Sequence, residues 1–87
     1  MLHLNANQPN QEVKLSLTDG TTGIATNNGF ALFKGSNQDG YLWNYQSNAL
    51  RFGTSNIERL TITSNGNIGI GSTLPKDLLT IQGNMSA

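Results

Sequence analysis

The sequence predicts an all-β fold of short strands, and three observations carry that prediction. Apolar and polar residues alternate over short runs, most clearly where Val13, Leu15 and Leu17 stand among Glu12, Lys14, Ser16 and Thr18; this is the period of a strand with one buried face. Turn-forming pairs interrupt the chain at short intervals: Asp19-Gly20, Asn28-Gly29, Asp39-Gly40, Ser47-Asn48, Ser55-Asn56 and Asn65-Gly66. No segment repeats apolar residues at i, i+3, i+4 and i+7 over three turns, so residues 75–79 are expected to give at most one short helical turn.

In chain order, Leu2 and Leu4 alternate with His3 and Asn5 and suggest a first short strand. Residues 13–17 form the clearest strand, and residues 21–26 a weak extended stretch. Residues 30–33 form a strand, followed by a loop at 35–40 in which Asp39-Gly40 is expected to supply the positive φ of a tight turn. Residues 41–45 place Tyr41, Trp43 and Tyr45 on one face and Leu42 and Asn44 on the other. Leu50 with Phe52, Leu60 with Ile62, Ile68 with Ile70, and Leu79 with Ile81 mark four further strands.

Each strand brings only two or three apolar side chains, which is thin for a self-contained sandwich. The 87 residues therefore read as a single small β module, 1–87, whose apolar stripes seek partners outside the chain. The chain contains no cysteine and one histidine, His3, so neither a disulfide framework nor a zinc site is expected to staple it. Oligomerisation is the remaining route. Charged residues make up 11% of the chain, against roughly 25% in an ordinary domain. Five Lys and Arg balance five Asp and Glu, and a surface near zero charge tends to associate.

The same balance argues against a nucleic-acid partner, which selects for excess Lys and Arg. No apolar run approaches the ~20 residues of a bilayer span, so membrane insertion is not expected. The first eleven residues have neither the basic start nor the apolar core of a signal peptide, which fits synthesis in a cytoplasm.

Gly66 and Gly71 stand at the spacing of a phosphate-binding loop, with Ser72-Thr73 behind them. The lysine that such a loop needs after the second glycine is replaced by Ser72. Pro75 follows closely and biases Leu74 toward extended backbone rather than a helix start. The remaining reading is a strand. In it Ile68 and Ile70 face one way, and Gly69 and Gly71 permit a close approach of neighbouring backbone on the other.

The order Glu58-Arg59, Ile62, Gly66-Asn67, Gly69-Ile70-Gly71-Ser72 and Pro75 gives Glu-Arg-x-x-Ile-x-x-x-Gly-Asn-x-Gly-Ile-Gly-Ser-x-x-Pro. It is preceded by Phe52-Gly53-Thr54 and followed by Leu79-Thr80-Ile81-Gln82-Gly83. This pattern resembles a repeat of bacteriophage tail-fibre and related virion appendage proteins. The resemblance is strongest over residues 50–83, and Gly29-Phe30 with residues 41–45 is similar to its usual lead-in. Ser72 departs from the more frequent threonine. The resemblance implies short strands in an intertwined homotrimeric fibre or a β-helix-like module. It implies a structural role as a shaft segment that positions a host-receptor-binding tip, in a virion assembled from proteins made in the host cytoplasm. The implied partners are two further copies of the chain and other virion tail proteins. Relatives often continue, past the position of Asn84-Met85-Ser86-Ala87, toward a self-cleaving chaperone domain, so the chain is expected to be a fragment or a short member.

On this reading Phe52, Leu60, Ile62, Ile68 and Ile70 form the shared trimer core, with Gly69 and Gly71 at close backbone contacts. Glu58 and Arg59 are candidates for an intersubunit ion pair; a solvated pair worth under ~1 kcal/mol is the plainer reading. Tyr41, Trp43 and Tyr45 carry the largest apolar area in the chain and suit a core or interface stripe. Exposed, the same three would form a stacking platform, which makes a host-surface glycan-binding module the alternative function. Asp19, Asp39 and Asp77 are too scattered for a calcium loop. With no nucleophile, base and orienting group in prospect, neither an enzyme nor a cofactor is expected.

Overall fold

A computed structural model describes residues 1–83. The tail beginning at Asn84, on which the expected continuation of the chain bears, lies outside the described residues. The fold is all-β, with seven strands among the described residues: β1 (Val13–Leu17), β2 (Phe30–Lys34), β3 (Gly40–Asn44), β4 (Leu50–Thr54), β5 (Ile57–Ile62), β6 (Ile68–Ile70) and β7 (Leu79–Ile81). Contacts divide the chain into two compact units, Met1–Gln46 and Ser47–Ala87, where the sequence reading treats 1–87 as one module. The first unit holds a three-stranded sheet ordered β1-β2-β3, and the second a four-stranded sheet ordered β4-β5-β6-β7.

In the first unit both pairings are antiparallel between sequence neighbours, with Lys14, Phe33 and Tyr41 in one cross-strand row and Leu15, Leu32 and Leu42 in the next. Alternation assigns these rows to opposite faces. Phe33, Tyr41, Trp43 and Tyr45 gather on the first face, where Phe33 and Tyr45 lie against the Lys14 ammonium; Leu15 and Leu17, on the other, remain 43% and 61% exposed. The sequence places Val13, Leu15 and Leu17 on the buried side of β1. The structure instead covers Lys14, whose ammonium lies over the Phe33 and Tyr45 rings, and leaves Leu15 and Leu17 exposed, because those rings offer a lysine stem and its charge apolar and π surface. Ala31, directly opposite Trp43 in register, is fully buried.

In the second unit β4, β5 and β6 run antiparallel, and β7 joins β6 in parallel. Ser55 and Asn56 both take positive φ, 51° and 62°, as a two-residue type I′ hairpin requires. Gly66 at φ 94° closes the next turn, where its amide donates to the Thr63 carbonyl at 2.9 Å. A register shift between Phe52 and Gly53 marks a bulge in β4.

Four local expectations are corrected. Leu2 and Leu4 form no strand and stand 78% and 46% exposed, because no neighbouring strand supplies hydrogen-bond partners. Residues 21–26 are turns and bends rather than extended chain. There the Asp19 carboxylate accepts the amides of Thr21 and Thr22 at 2.8 and 2.9 Å, a local closure that competes with strand pairing. In the β2–β3 loop the positive φ falls on Gln38, at 74°, not on Asp39 or Gly40; the Gln38 amide donates to the Gly35 carbonyl. Residues 75–79 make no helical turn: Leu78 gives its carbonyl to the Ile68 amide, which draws the segment into the sheet.

Candidate functional site

Two surfaces stand out, one in each unit. In the first unit β3 projects Tyr41 and Trp43 to the same side as Phe33 of β2, and Tyr45 continues that side past the end of β3. Phe33 and Tyr41 face each other across the β2–β3 pairing and stack with centroids 4.6 Å apart and planes 9° apart. Trp43 meets Tyr41 edge-on at 5.8 Å and Tyr45 at 6.2 Å. The rings line an open cleft of about 400 Å³ whose rim carries Glu12, Asn27, Ser36 and Asn37. Trp43 remains 47% exposed within it.

Lys14 runs along the aromatic face with its ammonium 4.5 Å from the Phe33 centroid and 4.9 Å from that of Tyr45. That ammonium donates to the Thr26 carbonyl at 2.8 Å and to the Tyr45 hydroxyl at 3.1 Å, and pairs with Glu12 at 3.2 Å. The hydrogen bond to Tyr45 raises the Lys14 pKa above the ordinary lysine value; desolvation opposes this and Glu12 adds to it. Asn37 donates to the Tyr41 hydroxyl at 3.0 Å and so fixes that ring from the loop side.

Sequence reasoning thus names Tyr41, Trp43 and Tyr45, and the structure brings all three together. It missed Phe33, Lys14 and Glu12. The signal for Phe33 was its place in β2, opposite Tyr41 of β3 across the hairpin closed by residues 35–39. Lys14 was read as the polar side of its strand, although a lysine stem often lies along apolar surface.

In the second unit the register aligns two rows across four strands. Leu50, Ile62, Ile68 and Leu79 form one; Phe52, Leu60, Ile70 and Ile81 form the other. Alternation puts all eight on one face. Phe52, Ile70 and Leu79 are 42%, 41% and 56% exposed, so much of this face is open. The five apolar residues expected to act together are all on it, and Leu50, Leu79 and Ile81 complete it by the same alternation.

The opposite face is covered where β5 meets β6. Thr61 is 1% exposed and lies beside Gly69 in register. Gly69 is buried under Ser72 and Pro75 of its own chain. Gly71 leaves the strand at φ 75°, donates its amide to the Arg59 carbonyl at 2.9 Å, and lies against Gln82. The close backbone approaches expected at both glycines are therefore made within the chain.

Glu58 and Arg59 take separate partners. Glu58 pairs with Arg51 across β4–β5 at 2.9 Å, and the Arg59 Nε donates to the Thr54 hydroxyl at 2.9 Å. Among the described residues no group of three or more His, Cys, Asp or Glu side chains could hold a metal ion, and no helix is long and apolar enough to cross a membrane. His3 lines a cavity of about 600 Å³ with Leu2, Leu4, Leu15 and Leu32, apart from the aromatic cleft. The chemistry on offer is apolar burial in one unit, and stacking with hydrogen bonding in the other. No family model matches the chain, and no curated protein matches it either.

Proposed function

We propose that the chain is a structural segment of a phage tail fibre or related virion appendage, a shaft that positions a host-receptor-binding tip. In this reading three copies pack their apolar faces into a shared interior, as an intertwined homotrimer or a β-helix-like stack. Other virion tail proteins adjoin its ends.

The open eight-residue apolar face of β4–β7 supports the reading most directly. A face with this apolar content loses free energy when it leaves water, by about 25 cal/mol for each Å² buried, and Phe52, Ile70 and Leu79 on it stand largely open to solvent. The Glu-Arg to Gly-Ile-Gly-Ser pattern of residues 58–72 occupies the strands that build this face and the loop behind it. The low share of charged residues suits a surface meant to be covered.

The mass in dilute solution, by light scattering after size exclusion, tests the proposal. A trimer has three times the 9.3 kDa chain mass, 27.9 kDa, and should hold that mass on dilution. A folded species at 9.3 kDa would remove the shared interior and with it the structural role.

A further inference from the structure

We infer that the aromatic cleft of the first unit is a binding site for a neutral oligosaccharide, with Trp43 as the stacking surface. This goes beyond the structural role proposed above and stands on different residues in a different unit. The cleft is a built feature: stacking against Phe33 fixes Tyr41, Asn37 holds the Tyr41 hydroxyl, and Lys14 holds the Tyr45 hydroxyl. Trp43, between these two tyrosines, is left half-exposed in an open cavity. Large apolar rings held rigid beside water, with a few polar groups converging on them, are the usual make-up of a ligand site.

The polar groups select the ligand class. All three ammonium protons of Lys14 have acceptors, on Thr26, Tyr45 and Glu12. The cleft lining then holds one charged residue, Glu12, and it is negative. An anionic ligand would meet no uncommitted cation there. Asn27, Ser36 and Glu12 offer amide, hydroxyl and carboxylate groups, which between them accept and donate hydrogen bonds. Sugar hydroxyls match both roles, whereas a proline-rich peptide, the other common ligand of aromatic grooves, brings carbonyl acceptors but few donors. A pyranose with equatorial hydroxyls presents a flat face of C–H bonds, and that face fits on the exposed indole.

The chain has one tryptophan, so its fluorescence reports this site alone. Cellotetraose titrated into the intact protein should change Trp43 emission saturably, and a trigalacturonate of similar size should bind at least tenfold more weakly. Tyr41→Ala, which keeps the reporter, should weaken cellotetraose binding at least tenfold with the β-sheet circular dichroism retained. Should that variant unfold, Asn27→Ala serves in its place, on a rim side chain outside the sheet, with a severalfold loss expected. Three results would overturn the inference. One is no saturable change with cellotetraose, chitotetraose or mannotetraose. Another is tighter binding of the anionic sugar or of a polyproline peptide. The third is an emission shift that follows protein concentration alone, which would mean a second copy fills the cleft. Because binding is read at whatever mass the protein has, failure here and failure of the trimer are separate results.

Discussion

Pro75 closes over Gly69: a methyl group placed on Gly69 would stand 3.2 Å from Pro75 Cγ and collide with the Ser72 carbonyl oxygen. The absence of a side chain at Gly69 is what lets the 71–78 segment fold back over β6 and deliver β7 alongside it in parallel. Gly69→Ala should therefore destabilise the second unit by about 1–3 kcal/mol, the usual range for overpacking. Gly66→Ala is the useful contrast. It has open space but a φ of 94°, so its cost is backbone strain alone, about 1–2 kcal/mol. Urea unfolding of both variants separates the two effects, and a Gly69→Ala protein as stable as the parent would mean the loop does not pack there.

The open apolar face gives a second expectation. Ile70 is 41% exposed, so Ile70→Asp should barely alter the fold of a single chain. If three chains share this face, the same change buries a carboxylate and should shift the mass from 27.9 toward 9.3 kDa. An unchanged trimer carrying Ile70→Asp would place the shared interior elsewhere.

The Arg51–Glu58 pair is exposed and joins adjacent strands of one chain. A double-mutant cycle on Arg51→Ala and Glu58→Ala should return a coupling of about 0.2–1 kcal/mol that shrinks with added salt. The coupling should not depend on protein concentration. A dependence would assign Glu58 to a partner on another copy.

Asp19 provides a pH signature. Its carboxylate accepts the backbone amide of Thr22 and then that of Thr21, and these bonds lower its pKa below the ordinary aspartate value. A depressed folded-state pKa contributes stability that is present above the unfolded value of about 3.9 and is lost as pH falls through the folded value. The protection of the Thr21 and Thr22 amides, taken relative to their intrinsic exchange rate, should fall on acidification through that window. Asp19→Asn should abolish this pH dependence, and a parent protein without it would show that the turn does not rely on the charge.

The strands were largely legible because their signals are local. Alternation at 13–17, 50–52, 60–62 and 68–70, with turn pairs between, needs no tertiary information, and each became a strand. The N-terminal leucines failed because alternation alone cannot provide a neighbouring strand to bond with. Asp39-Gly40 did not supply the positive φ of a tight turn because the loop is five residues long, and a longer loop places its positive φ elsewhere, here on Gln38. The covering of Lys14 in β1 was missed for a long-range reason: it depends on Phe33 and Tyr45, which lie 19 and 31 positions away and meet Lys14 only after two hairpins have closed. The grouping of the aromatic residues followed from the period of two, whereas the cleft beside them required the loop carrying Asn37 to be in place.

The parallel seating of β7 also bears on timing during folding. In the second unit the antiparallel pairings close through the short connections 55–56 and 63–67, whereas β7 must cross residues 71–78 and wait for β6 to present its edge. Loop closure of this kind costs chain entropy before any ladder bond repays it. We expect the Ile68 amide on the Leu78 carbonyl and the Gln82 amide on the Ile70 carbonyl to be the last bonds of the second unit to gain protection from exchange on refolding, and the first to lose it. Simultaneous protection of these amides with those of β4–β5 would show a single concerted step. A β7 that arrives last leaves the edge of β6 unpaired for a time, and that interval is when a neighbouring chain could take its place.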